Sequence, residues 1–100
     1  MKNFIKILIV VLLVIALVFG YVSYKKYSVK IAVESYLETE LGIEKQDIIE
    51  STPIIANLSG DKNWLVFIKL KNDPKGYYYY KHKGEIILES YTLNGVEFVQ

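Results

Sequence analysis

Cysteine is missing from this sequence, and so is arginine; histidine and tryptophan occur once each and proline twice. Without cysteine no disulfide, thiolate metal site or cysteine nucleophile can form, and no thiol is present to carry a lipoprotein's lipid. Without arginine, cations are supplied by lysine alone, a mobile point charge in place of the planar fork that grips phosphates bidentately. Twelve lysines face eleven acids. Only Lys2 and Lys6 precede Ser23, so from that residue onward ten lysines meet all eleven acids, a balance of −1. Near-neutrality gives no electrostatic footprint for nucleic acid, and none is expected as a partner. Phosphate loops, dinucleotide fingerprints, nucleophile elbows, zincin helices and calcium loops are all missing, and no cofactor or metal is expected.

What is present, first, is a long apolar run. Residues 7–24, beginning at Ile7 and ending at Tyr24, carry no formal charge, and the stretch ILIVVLLVIALVF is apolar throughout. Eighteen helical residues reach ~27 Å, close to the ~30 Å hydrocarbon thickness of a bilayer. Twelve Ile, Leu, Val and Phe side chains in that stretch favour insertion by ~0.3–0.6 kcal/mol each. Tyr21 and Tyr24 fall at interfacial depth, and Lys25 and Lys26 can reach the headgroups. The run therefore predicts a transmembrane signal-anchor over residues 1–26, with the lipid bilayer as its partner. The alternative is a signal peptide cleaved after Gly20, where Val18 and Gly20 are the small-side-chain positions of the best available site. Lys2 and Lys6 favour an inside N-terminus, while Lys25, Lys26 and Lys30 pull the other way. An extracytoplasmic C-terminal domain is the expected arrangement.

Residues 27–100 read as one small α+β domain. Val29, Ala32, Val33, Tyr36, Leu37 and Leu41 recur at helical spacing, with Lys30, Glu34, Glu38 and Glu40 opposite. Gly42 followed by Ile43 marks a left-handed helix stop. Whether Ser28 caps this helix or the membrane helix runs into it is left open by the sequence. Sheet signals follow: residues 47–58 with Pro53 as an edge or bulge marker, Trp64 to Lys71, Tyr77 to Lys81, Glu85 to Leu93, and Val96 to Val99 after an Asn94-Gly95 hairpin turn. The expected architecture is an N-terminal transmembrane helix, then one amphipathic helix packed on an antiparallel β-meander of four or five strands. The helix should cover the face bearing Trp64, Val66, Ile68 and Leu70.

Few residues offer chemistry. Tyr77, Tyr78, Tyr79 and Tyr80 stand in one predicted strand, so alternate members face opposite ways. The outward pair, Tyr78 and Tyr80, with Tyr91, is the candidate binding surface; tyrosine is also simply a good strand residue. His82, between two lysines in a turn, reads as an exposed loop residue. An enzyme would have to use it with Glu85 or Asp73. The acids Glu34, Glu38, Glu40 and Glu44 read as a solvated helix face.

The basic start, the apolar anchor, the helix AVESYLETELGI, the DII strand start and the tyrosine-rich late hairpin resemble small membrane-anchored proteins of Gram-positive bacteria, grouped as domain of unknown function 3139. The likeness is one of layout over nearly the whole chain. It implies a single-pass protein of the cell envelope and offers no catalytic residues. The expected role is a non-enzymatic binding or regulatory module presented to an envelope protein or cell-wall polymer. A small envelope enzyme and a secreted soluble factor are the alternatives.

Overall fold

The computed structural model describes residues 2–100. One helix, α1, spans Lys2–Thr39 and is followed by β1 (Ile48–Ile55), β2 (Trp64–Leu70), β3 (Gly76–His82), β4 (Glu85–Leu93) and β5 (Val96–Val99). Two 3-10 turns, Lys45–Asp47 and Gly60–Asn63, precede β1 and β2. The long apolar segment and the amphipathic segment are thus one element of 38 residues. Residues 21–28, YVSYKKYS, contain neither glycine nor proline, so nothing interrupts the backbone ladder and Ser28 lies inside the helix. At ~1.5 Å per residue α1 is ~57 Å long, and it sets the longest dimension of a 61 × 27 × 25 Å molecule.

The helix ends where Gly42 enters the left-handed region at φ +67. The Ile43 amide then donates to the Leu37 carbonyl at 2.9 Å, closing the last turn. Leu41, expected on the buried stripe, lies past the end of the helix and is exposed. The stripe itself is Val29, Val33 and Leu37, spaced four residues apart and all buried.

The five strands form one antiparallel meander in the order β1-β2-β3-β4-β5. Pro53 sits in β1, an edge strand paired only with β2, where its missing amide costs no ladder bond on the free side. The irregularity in that pair falls at Ile49, between Ile48 and Glu50. The α1 stripe packs on Val66, Ile68 and Tyr79, flanked by Trp64, Leu70, Ile86 and Leu88. Each fully buried aliphatic side chain there contributes roughly 1.5–3 kcal/mol. The other face of the sheet is not bare: Leu65 is buried on it, and Phe67 leans on Tyr78 with ring centroids 5.1 Å apart.

Candidate binding groove on the outer sheet face

The strand register assigns each tyrosine to a face. Ile68 pairs with Tyr77 and Tyr77 with Tyr91, whereas Phe67 pairs with Tyr78 and Tyr78 with Ser90. Tyr77, Tyr79 and Tyr91 therefore share the helix-covered side. Tyr78 and Tyr80 lie on the side away from the helix. The expected trio of Tyr78, Tyr80 and Tyr91 is not one surface. The reason is a bulge: Tyr78 opposes Ser90 while Tyr79 opposes Leu88, which leaves Glu89 as an extra residue in β4. Unbroken alternation would turn Tyr91 toward Tyr78, and the extra residue turns it back. Tyr91 instead stacks on Phe98 at 5.0 Å, with the Lys75 ammonium 4.6 Å above its ring.

The bulge also shapes the outer face. Phe67, Tyr78, Ser90 and Val99 form one cross-strand row, large side chains on either side of one small one. The depression over Ser90 is a groove of about 390 Å³. Tyr78, Leu65 and Val99 form its walls, with Ala56 and Leu58 from the β1–β2 connection, and Thr92, Glu89 and Glu97 supply polar groups. Gly76 makes room for this face, because a β-carbon there would stand 2.5 Å from the Phe67 ring.

Two features separate this groove from an ordinary depression. Ser90 is only 1% exposed, and its hydroxyl has no hydrogen-bond partner; an orphaned buried hydroxyl costs ~1–3 kcal/mol. Glu89 and Glu97 carry negative charge at an otherwise apolar site, and neither has a salt-bridge partner among the described residues. The arrangement suits an extended ligand with an apolar body, a cationic end and a group that hydrogen-bonds the Ser90 hydroxyl once the side chains covering it part. Ser51 Oγ is also unpartnered, but Ser51 pairs with Ile68 on the helix-covered side. A larger hollow of about 630 Å³, between α1 and the β3–β4 turn, contains Lys81 together with Glu40 and Glu85, so its charges are mixed.

Tyr80 and His82 belong to a separate hollow beside the 3-10 turn at Gly60–Asn63. The Lys62 ammonium lies 5.9 Å from the Tyr80 ring centre. His82 Nδ1 is 2.7 Å from Asp61 Oδ2, with both side chains close to half exposed. Ser59 lines the same hollow, yet no hydrogen bond joins it to His82 among the described residues. Glu85 is the register partner of His82. Asp73, in contrast, precedes β3 while His82 ends it; seven residues at ~3.3 Å each hold the two ~20 Å apart.

Asp73 instead organises the β2–β3 connection. Its carboxylate accepts from the Lys75 amide at 2.9 Å and from the Tyr77 hydroxyl at 2.7 Å. The Lys69 ammonium donates to the carbonyls of Asp73 and, at 3.1 Å, of Lys75. Desolvation pushes the Asp73 carboxyl up, but the Lys75 amide, the Tyr77 hydroxyl and the two lysine charges hold it below its ordinary value. Desolvation and the Asp73 carboxylate together push Tyr77 up to about 12. Tyr79, in the core against Tyr36, is raised by burial first. The acids of the helix surface do not converge: among the described residues no group of three His, Asp or Glu side chains could hold a metal.

Sequence reasoning missed Ser90, Glu89, Thr92 and Glu97. The available signal was a lone small residue within the bulky run IILESYTL, but its face depends on the bulge. Comparison with known protein families, with curated proteins and with solved structures gave no match.

Proposed function

We propose that this chain is a single-pass protein of the cell membrane whose extracytoplasmic domain is a non-enzymatic binding module, taking a lysine-bearing extended segment of an envelope protein in the outer-face groove. The observation that carries this reading is the buried, unpartnered Ser90 hydroxyl beneath two carboxylates that lack cations. A helix of membrane-spanning length and composition precedes the domain, and every side chain from residue 2 to residue 20 is exposed on it. Apolar surface of that extent is stable in lipid, not in water. The layout shared with small membrane-anchored Gram-positive proteins agrees with an outer location. The groove faces away from α1, so a partner reaches it without displacing the anchor.

The test places a photo-crosslinking residue at Val99, an exposed position on the groove rim, in the full-length protein in membranes. A discrete protein adduct is expected, lost when Glu89 and Glu97 are both changed to Gln. A reporter fused after Gln100 and active on one side of the membrane checks the orientation. An adduct that wall-degrading enzymes dissolve replaces the protein partner by cell-wall polymer. No adduct at all, with unaltered envelope behaviour on deletion, defeats the binding reading.

A second reading has one observation in its favour. The first side chain that packs on the sheet is Tyr21, whose ring meets Trp64, so cleavage after Gly20 would remove nothing the domain uses. N-terminal sequencing of the mature protein distinguishes a secreted factor from an anchored one.

A further inference from the structure

We infer that the corner of the sheet where β1 ends and β2 begins is a second membrane contact, seating the domain on anionic lipid headgroups. The inference rests on the anchoring proposed above and concerns what the domain does once anchored. No linker separates span from domain, because α1 is continuous from Lys2 to Thr39. The uncharged run needs all of residues 7–24, ~27 Å of helix, to cross a ~30 Å hydrocarbon layer. Tyr21 lies three residues before the end of that run, ~4.5 Å along the axis, and so at the hydrocarbon boundary. Trp64, far away in sequence, meets Tyr21 edge to face with centroids 6.3 Å apart. Val22, Lys25 and Lys26 are half-buried on the same stretch of helix. Trp64 is therefore held at headgroup depth.

The chemistry of the corner fits that depth. Trp64 is an amphipathic ring of the type enriched at membrane interfaces. Its register partner Ile55 is 49% exposed, an aliphatic side chain only half covered by protein. Lys62, two residues from Trp64, is exposed, as is Lys83 on the adjoining β3–β4 turn; basic residues this close to an anionic surface are drawn to it. Of the nearby acids, Asp61 is engaged by His82, and Glu85 is the register partner of that histidine at the start of β4. An interfacial aromatic, a half-exposed aliphatic and two exposed lysines make a membrane-facing surface. Seating it fixes the tilt of the sheet and leaves the outer-face groove open to the side.

Trp64 is the sole tryptophan, so selective excitation reports this corner alone. The full-length protein is reconstituted into phosphatidylcholine vesicles with and without phosphatidylglycerol, and Trp64 emission is quenched by lipids brominated at shallow or deep acyl carbons. Shallow bromines are expected to quench about twofold more than deep ones, as for an interfacial ring. Lys62→Glu, at an exposed site, is expected to reduce shallow quenching in the anionic vesicles and not in the neutral ones. If the protein floats with the vesicles while Trp64 is quenched by aqueous iodide and not by shallow bromine, the seating is overturned and the anchor stands. If the protein does not float with the vesicles, the anchor fails and the seating with it.

Discussion

Replacing Ser90 by alanine should make this protein more stable and less able to bind. The hydroxyl is buried at 1% exposure without a partner, and such a group costs ~1–3 kcal/mol relative to one that is satisfied or absent. Alanine removes the oxygen and keeps the Cβ, so the cavity created is smaller than a methyl group and the packing loss takes back only part of the gain. A net stabilisation of ~1 kcal/mol follows. With a urea dependence of ~1 kcal/mol per molar for so small a domain, the midpoint should rise by about 1 M. By heating, the same energy is worth ~4–8 °C in Tm for 60–100 residues. The assay is urea titration of wild type and Ser90→Ala in nanodiscs, followed by near-ultraviolet circular dichroism of the buried tyrosines. Partner capture through Val99 should fall in the same variant, because the ligand loses a hydrogen bond worth ~0.5–1.5 kcal/mol. Stability gained where function is lost is the usual mark of a binding site. An unchanged or lower midpoint, with the urea slope preserved, would show that the hydroxyl is already satisfied in the free protein and would refute the reasoning.

Gly76→Ala places a methyl group 2.5 Å from the Phe67 ring, held in turn by Tyr78; overpacking of this kind costs ~1–3 kcal/mol, and a urea midpoint equal to wild type would contradict it. The Asp73–Tyr77 pair makes stability depend on pH at both extremes. Asp73 is held below its ordinary 3.8, so its contribution is present above that pH and is lost as pH falls through the lowered value. Tyr77 is raised from 10 to about 12, so its contribution is complete below pH 10 and is lost as pH rises through about 12. Urea midpoints against pH should show both limbs in wild type, with Tyr77→Phe keeping only the share of the alkaline limb that belongs to the raised Tyr79 and losing stability at a higher pH on the acid side. Superimposable curves would remove the pair from the account.

Much of the fold was legible because its causes are local. The uncharged run needs no partner to declare itself, and the strands ending in Asn94-Gly95 are punctuated by residues with intrinsic turn preferences; Asn94 and Gly95 do adopt φ of 55 and 80. Pro53 marked an edge strand because a missing amide restricts where a strand can lie. The fate of residues 21–28 was legible only in part: the lack of glycine and proline permits one continuous helix, but Ser28 caps as readily as it continues a helix, and packing on the sheet settles which. The aromatic surface was misjudged at Tyr91 for a related reason: periodicity carries a side chain's face along a strand only while no residue is inserted.

Hydrophobic run length, alternation and turn chemistry act over a few neighbouring residues, and they were enough to specify a membrane-length apolar helix and a small α+β domain. It took the folded molecule to show that the two helical segments are one element, that Trp64 meets Tyr21 across 43 positions of chain, and that the Glu89 bulge turns Ser90 outward and Tyr91 inward. Those outcomes depend on register and contact between distant segments, which are set by the joint burial of helix and sheet.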